Sequence, residues 1–289
     1  MRTDMAMSTR THHMSAAIAD PAQGVGSAAA VPGRACAESV PCLDIAPAPS
    51  GATVDPAPFG VSVDDAPFGA MLPRLLQLAS PMLPVGAYAY SEGLEYAVQA
   101  GWVHHERSAR DWIIGLLEHS LARLDVPLFA RAHAAWLDAD EHRARGVSAW
   151  LLACRETAEL RAADRHQGQA LARVLAQLGD AGARAWMRVA DASFAVLFAR
   201  AAVRWQIPVQ PAASALLWSW CENITAAAMK LVPLGQSAGQ RVLFEAGSRI
   251  PVLCAAGVKL EDDAVGGGAP GLAIASARHE QQHTRLFRS

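Results

Sequence analysis

From Ala212 to Arg241 the chain reads AASALLWSWCENITAAAMKLVPLGQSAGQR, an apolar run with a few isolated polar groups that breaks at Pro233. About 20 apolar residues suffice to span a bilayer, and Ala213 to Val232 nearly qualifies. It also carries Glu222, Asn223 and Lys230. A carboxylate or ammonium in hydrocarbon costs ~2.5–3.5 kcal/mol each, and no juxtamembrane cluster of Lys or Arg marks a cytoplasmic side. A helix that is apolar around most of its circumference and is not in lipid belongs at the centre of a bundle. Proline lacks an amide and restricts the residue before it, so Pro233 stops this helix, and a turn over 233–239 launches the next from about Ser237.

The rest of the chain is material for packing around that axis. It is rich in Ala and Leu, with 52% hydrophobic and only 6% aromatic residues, which favours helices over strands. The formal net charge is −2 and no basic block occurs, so a nucleic-acid partner is not expected. The five cysteines, Cys36, Cys42, Cys154, Cys221 and Cys254, are irregularly spaced without a CxxC. An odd, sparse set fits reduced structural thiols. Ala16 to Val31 is broken by Asp20, Pro21 and glycines and does not form an export signal, so a cytoplasmic location is expected and no membrane contact.

Residues 1–70 are dominated by Ala, Pro, Gly and Ser without apolar periodicity, and are expected to be a disordered extension. His12-His13 within it are too few to define a metal site. A helical domain is expected over 71–262. Its first helix holds Leu72 to Ser80, followed by a connector with Pro81, Pro84 and Gly86. Ser91 with Glu92 suggests an N-cap for a helix running to about Ala100. Ser108 to Asp111 suggests a capping box for the next. Asp125-Val126-Pro127 restarts the chain, Ala139 to Gly146 reads as a loop, and Val147 to Leu178 and 183–205 read as helices. Beyond the central helix, Gly239 to Ala246 and Ser248 to about Leu260 read as short helices separated by Gly247. The expectation is an all-α, single-domain bundle of about seven to ten helices around a buried central helix. Residues 263–289, opening on Gly266-Gly267-Gly268 and closing on Arg285-Leu286-Phe287-Arg288, are expected to be a flexible tail, which composition alone leaves even between a segment that folds onto a partner and a frayed terminus.

Motifs for chemistry are few. The chain contains no GxxxxGK[ST], no GxSxG and no HExxH. His279 and His283 have the i, i+4 spacing of two ligands on a helical face, but without a nearby third ligand no metal site is assigned, and His104-His105 are treated alike. Asn223 and Lys230 lie seven residues apart, hence on nearly one face of the central helix. Lys230 suits the negative end of the helix dipole and equally suits a polar contact from an apolar element, and composition leaves these even. Glu222 is a candidate buried acid without an evident partner.

Three stretches carry a resemblance. LLQLASPMLPVGAYAYSEGLE from Leu75 to Glu95, Trp218-Ser-Trp through KLVPLGQ (Lys230 to Gln236) to Gly239-Gln240, and ASARHEQQHTRLFRS from Ala275 to Ser289 together resemble the urease accessory protein family UreF. The resemblance covers about residues 71–289, and three motifs in order are more specific than any one. It implies an all-helical homodimer that is not an enzyme and needs no cofactor of its own. Such a protein joins UreD (also called UreH) and the GTPase UreG in the complex that delivers nickel to the urease apoprotein, the partners handling nickel and GTP. It further implies partner-binding roles for Tyr88, Tyr90 and Glu92 in the connector, for Lys230 and Gln236 facing the GTPase, and for Arg285, Leu286 and Phe287 in the tail facing UreD. Ala87 stands where many relatives have a second glycine, and residues 1–70 fall outside the family pattern. The competing expectation is a helical enzyme using Glu222 or Lys230. It predicts an enclosed pocket with convergent polar groups, whereas an adaptor predicts exposed apolar surface around the connector and tail.

Overall fold

The protein is described here from a computed structural model that covers residues 66–288, all within one unit spanning 61–289. Most of the expected extension 1–70, with His12, His13, Cys36 and Cys42, lies outside the described residues. Ten α-helices and no strand occur among the described residues. They are α1 (Ala66–Ala79), α2 (Leu94–Gln99), α3 (Glu106–Leu116), α4 (Asp125–Leu137), α5 (Glu141–Ala153), α6 (Ala158–Gln177), α7 (Phe194–Arg204), α8 (Val209–Leu231), α9 (Gln236–Gly257) and α10 (Pro270–His279). The fold is an all-α bundle, as its Ala- and Leu-rich composition indicates.

The axis is α8. It packs against α1, α2, α3, α4, α7 and α9, so its circumference is covered by neighbours. Ala212, Ala213, Leu217, Cys221, Ile224 and Ala228 are buried along it. The many alanines bring neighbouring backbones close, and dispersion contacts between such close-packed surfaces accumulate along its length. Burial pushes the Cys221 thiol up to about 12, which keeps it a neutral apolar group. No described helix is long and apolar enough to cross a membrane.

Several element boundaries differ from the sequence reading. α1 starts at Ala66, inside the segment assigned to the extension. The Ser91-Glu92 cap is displaced: α2 starts at Leu94 with Gly93 at its N-cap, φ +79°, while Glu92 holds φ +50°. A side chain at Gly93 would meet the backbone nitrogen of Ser276, so α10 presses against this turn. The capping box belongs to His105 and Ser108, whose side chains satisfy each other's backbone amides at the start of α3. The expected loop 139–146 forms the first turns of α5, capped by Asp140. The stretch from Val147 to Leu178 is interrupted at Cys154–Thr157, and Thr157 caps α6. The expected helix 183–205 divides into a 3₁₀ segment, Ala181–Arg188, and α7. α9 is one helix through Gly247 and Pro251, and Gly247 lies against the Trp218 ring of α8, where a larger residue would crowd it.

Candidate functional site

The connector between α1 and α2 is held by α8. The Asn223 side-chain amide donates to the carbonyls of Ala87, at 3.0 Å, and Tyr90, at 3.4 Å. Trp220 Nε1 donates to Glu92 Oε2 at 2.8 Å. Tyr90 is buried, with its hydroxyl 3.1 Å from His166 Nδ1 on α6. These bonds pin both ends of a segment whose left-handed Gly86 and Glu92 leave little regular hydrogen bonding of its own. They leave Tyr88 72% exposed and Met82 85% exposed.

The C-terminal segment lies against that connector. Expected as a flexible tail, residues 263–289 instead contain α10 and a strap behind it whose Arg288 amide donates to the carbonyl of Ala89 at 2.8 Å. Glu95 on α2 accepts the amides of Leu286, at 2.6 Å, and Phe287, at 2.9 Å. Arg285 pairs with Glu159 on α6 at 2.7 Å. Phe287 is buried beneath the Lys230 ammonium, which stands 5.6 Å from its ring centroid, while Leu286 is 66% exposed. Apolar burial and two charge-accepted amides explain why a polar-looking terminus is ordered.

Lys230 occupies the last turn of α8, so its charge meets the helix dipole and the Phe287 ring together. The two readings left even by the sequence coexist. Asn223 and Lys230 do share a face: one holds the connector and the other covers the strap. Gln236 opens α9 with an exposed side chain. Of the eight residues singled out from the sequence, Lys230 touches Phe287, Arg285 and Phe287 are linked through Glu159, His279 and Glu95, and Tyr90 and Glu92 are each held separately by residues of α8. Tyr88 and Leu286 point outward beside them, and Gln236 stands apart across the 232–235 turn.

Sequence reasoning missed the groups that do the holding. In the sequence Glu95 is only the last residue of a motif, Glu159 has no motif to mark it, and His279 pairs with His283 by spacing alone. His279 is instead fully buried, with Nδ1 2.7 Å from Glu159 Oε2 and Nε2 3.2 Å from Glu95 Oε2, while His283 is exposed. The signal available was a carboxylate one turn after Ser91, whose hydroxyl accepts the Glu95 amide.

A cavity of about 210 Å³ borders the connector, lined among others by Leu78, Val85, Glu92, Arg155, Trp220 and Glu222. Burial pushes the Glu92 carboxyl above its usual range against the pull of Trp220, and burial likewise raises Glu222. Arg155 is committed: it donates to Asp125 and to Asp164, and although burial works against its charge, these carboxylates hold it firmly protonated. Asp164 also accepts from Ser193 Oγ and the Phe194 amide, capping α7. The cavity therefore has the convergent polar groups expected of a pocket, but Lys230 is not among its lining residues. Among the described residues no group of three or more His, Cys, Asp or Glu is arranged to hold a metal ion.

The family model for UreF matches residues 103–247. A urease accessory protein UreF from Alkalilimnicola ehrlichii is 53% identical over 216 residues, covering 75% of this chain and 95% of the relative. One from Azoarcus is 51% identical over 221 residues, covering 75% and 94%, and one from Dechloromonas aromatica 45% over 222 residues, covering 75% and 97%. The chain belongs to the UreF family. The matched share of the relatives is nearly their whole length, so the described bundle is the family's own unit and the resemblance read from the three motifs holds. The UreF relatives are named as urease accessory proteins.

Proposed function

We propose that this chain is an adaptor in urease maturation, which bridges a UreD partner and the GTPase UreG in the complex that inserts nickel into the urease apoprotein. The observation that carries the reading is the convergence of connector, α8 and C-terminal strap through the contacts of Asn223, Arg288 and Lys230, with Tyr88 and Met82 left exposed on the connector and Leu286 on the strap. A large exposed aromatic or aliphatic group rimmed by cations is the composition of an interface anchor rather than of a solvated surface.

In this reading nickel is the cargo and GTP the substrate of the partner, and the chain works by contact in the cytoplasm, without catalysis or a cofactor of its own. Leu286 faces UreD from a strap that Arg285 and Phe287 hold in place. Lys230 and Gln236 face UreG, and because Lys230 also covers Phe287, engagement of the strap is felt at the GTPase-facing end of α8. That coupling is how the adaptor regulates GTP hydrolysis until the apoprotein is engaged. A homodimer contact is assigned to the connector, with Tyr88 facing the second copy and Tyr90 and Glu92 holding the connector in shape.

Co-purification of tagged chain with UreD and UreG tests this. Wild type recovers both partners, a chain ending at Gln282 loses UreD, and Lys230→Ala keeps UreD while losing UreG or its control. Failure of the wild type to hold either partner, where a UreF relative succeeds under the same conditions, overturns the reading.

A further inference from the structure

We propose that the cavity beside the connector is a binding site for a small uncharged carboxamide with an apolar body, held through Gln167. The cavity, of about 210 Å³, lies between the connector, α6, α7 and α8, and Leu78, Val85, Leu160 and Leu216 are among its aliphatic walls. Sites for drug-sized molecules run to ~300–1,000 Å³, so the occupant here has few heavy atoms. The polar groups in the walls are of two kinds. Asp125 and Asp164 are spent: Arg155 takes both oxygens of the first and one of the second, and Ser193 with the Phe194 amide takes the other. Gln167 and Ser120 are not. Gln167 is 9% exposed and Ser120 6%, both line the cavity, and neither side chain has a hydrogen-bond partner among the described residues. Buried amides and hydroxyls are nearly always paired, because an unpaired one gives up its hydration without replacement. The side-chain atoms that are both fully enclosed and unpartnered among the described residues lie elsewhere, at Trp112, Trp186, Thr225 and Gln282. The polar ends of Gln167 and Ser120 thus keep accessible surface, and the space they border is the cavity. Ser120 is presented by the π-helical turn Leu117–Leu121, a local widening of the kind often found at functional sites.

The pattern of donors and acceptors selects the ligand. The Gln167 side chain offers an N–H donor and a carbonyl acceptor side by side. A second carboxamide meets both at once with its own carbonyl and N–H, a reciprocal pair that neither a carboxylate nor an ammonium can make. Arg155 uses three of its five N–H groups on the two aspartates, which leaves two for a ligand carbonyl. Glu92 uses Oε2 for Trp220 and leaves Oε1 for a ligand N–H. An anion gains little, since two carboxylates already oppose the Arg155 charge. A cation finds no open oxygen on either aspartate, and burial works against a counter-charge on Glu92. Val85, Ala87 and Glu92 belong both to the cavity wall and to the connector, so an occupant braces the connector from within. The inference goes beyond the adaptor reading and does not need it, because the site is complete within this chain.

The test therefore uses the full chain alone, with benzamide and isobutyramide as probes and benzoate and benzylammonium as charge controls. An NMR titration follows the Gln167 side-chain amide and the methyl groups of Leu78 and Val85, and hydrogen exchange follows the connector amides. The site predicts saturable shifts at these groups with a Kd of about 1 mM or tighter for at least one carboxamide, and added protection over 83–93. Both charged controls should bind roughly tenfold more weakly or worse. Gln167→Leu removes an unpaired buried polar group and should fold; it weakens carboxamide binding roughly tenfold or more, whereas Gln177→Leu at the exposed end of α6 does not. Saturation without shifts at Gln167, equal binding of a charged control, or no saturable binding of either carboxamide overturns the site, the last because water alone then satisfies Gln167 and Ser120. If Gln167→Leu does not fold, the wild-type comparison of carboxamides with charged controls decides alone.

Discussion

The middle of α8 and the face at its C-terminal end are built on opposite principles. Around Ala213, Leu217 and Cys221 one side of the helix is held by shape, with small apolar groups buried against neighbouring helices. At Asn223 and Lys230 the same helix holds its neighbours by directed polar contacts, to the Ala87 and Tyr90 carbonyls and over the Phe287 ring. Packing is insensitive to pH and opens only when the bundle opens. Directed contacts to a connector and a strap break individually, and such regions open at lower free energy than the core they border. One element thereby joins a rigid scaffold to a face that can change.

The largest expected effect lies on the scaffold side. Leu217→Ala removes a fully buried side chain from the axis and should destabilise the bundle by ~2–5 kcal/mol, equally at every pH, in denaturant unfolding. A pH-dependent loss there would break the contrast.

Glu92→Gln should act at the boundary and more mildly. Burial raises the Glu92 carboxyl in the folded chain, so its contribution to stability is fullest below the unfolded value and is lost as pH rises from that value to the folded one. The amide still accepts from Trp220 and carries no charge to bury, so the variant should exceed wild type by about 1 kcal/mol at neutral pH and match it in acid. Unfolding midpoints at two pH values check this, and a variant weaker than wild type at neutral pH would show that the connector needs the charge.

The smallest global effect is expected at the strap. Phe287→Ala should leave the unfolding midpoint within about 0.5 kcal/mol of wild type, because the strap opens before the bundle does. Exchange protection at the Leu286 amide should nevertheless collapse. A large global loss would mean that the strap belongs to the core.

The same contrast explains what could be read from the sequence. The apolar periodicity of α3, α4 and α8 announces packed helices, since core burial is written into residues three and four apart. Gly247 looked like a break because its cost in a helix is local, while the Trp218 ring that compensates it lies on another helix. The candidate face was half legible. Motif positions marked Tyr90, Glu92, Lys230 and Phe287, but nothing local connects Glu95, Glu159 and His279, which come from three helices and meet only when α10 packs across the bundle. A carboxylate on a helix reads as solvated until its tertiary partner is known.

The central claim, that one composite face of connector, α8 terminus and strap serves the partners, is tested most directly by a hydrogen-exchange footprint of the chain alone and with UreD and UreG. The account predicts added protection together at 80–93, 230–236 and 283–288, with the α9 surface around Phe244, itself 83% exposed, unchanged. Protection centred on α9, or absent from the connector and strap, would contradict it.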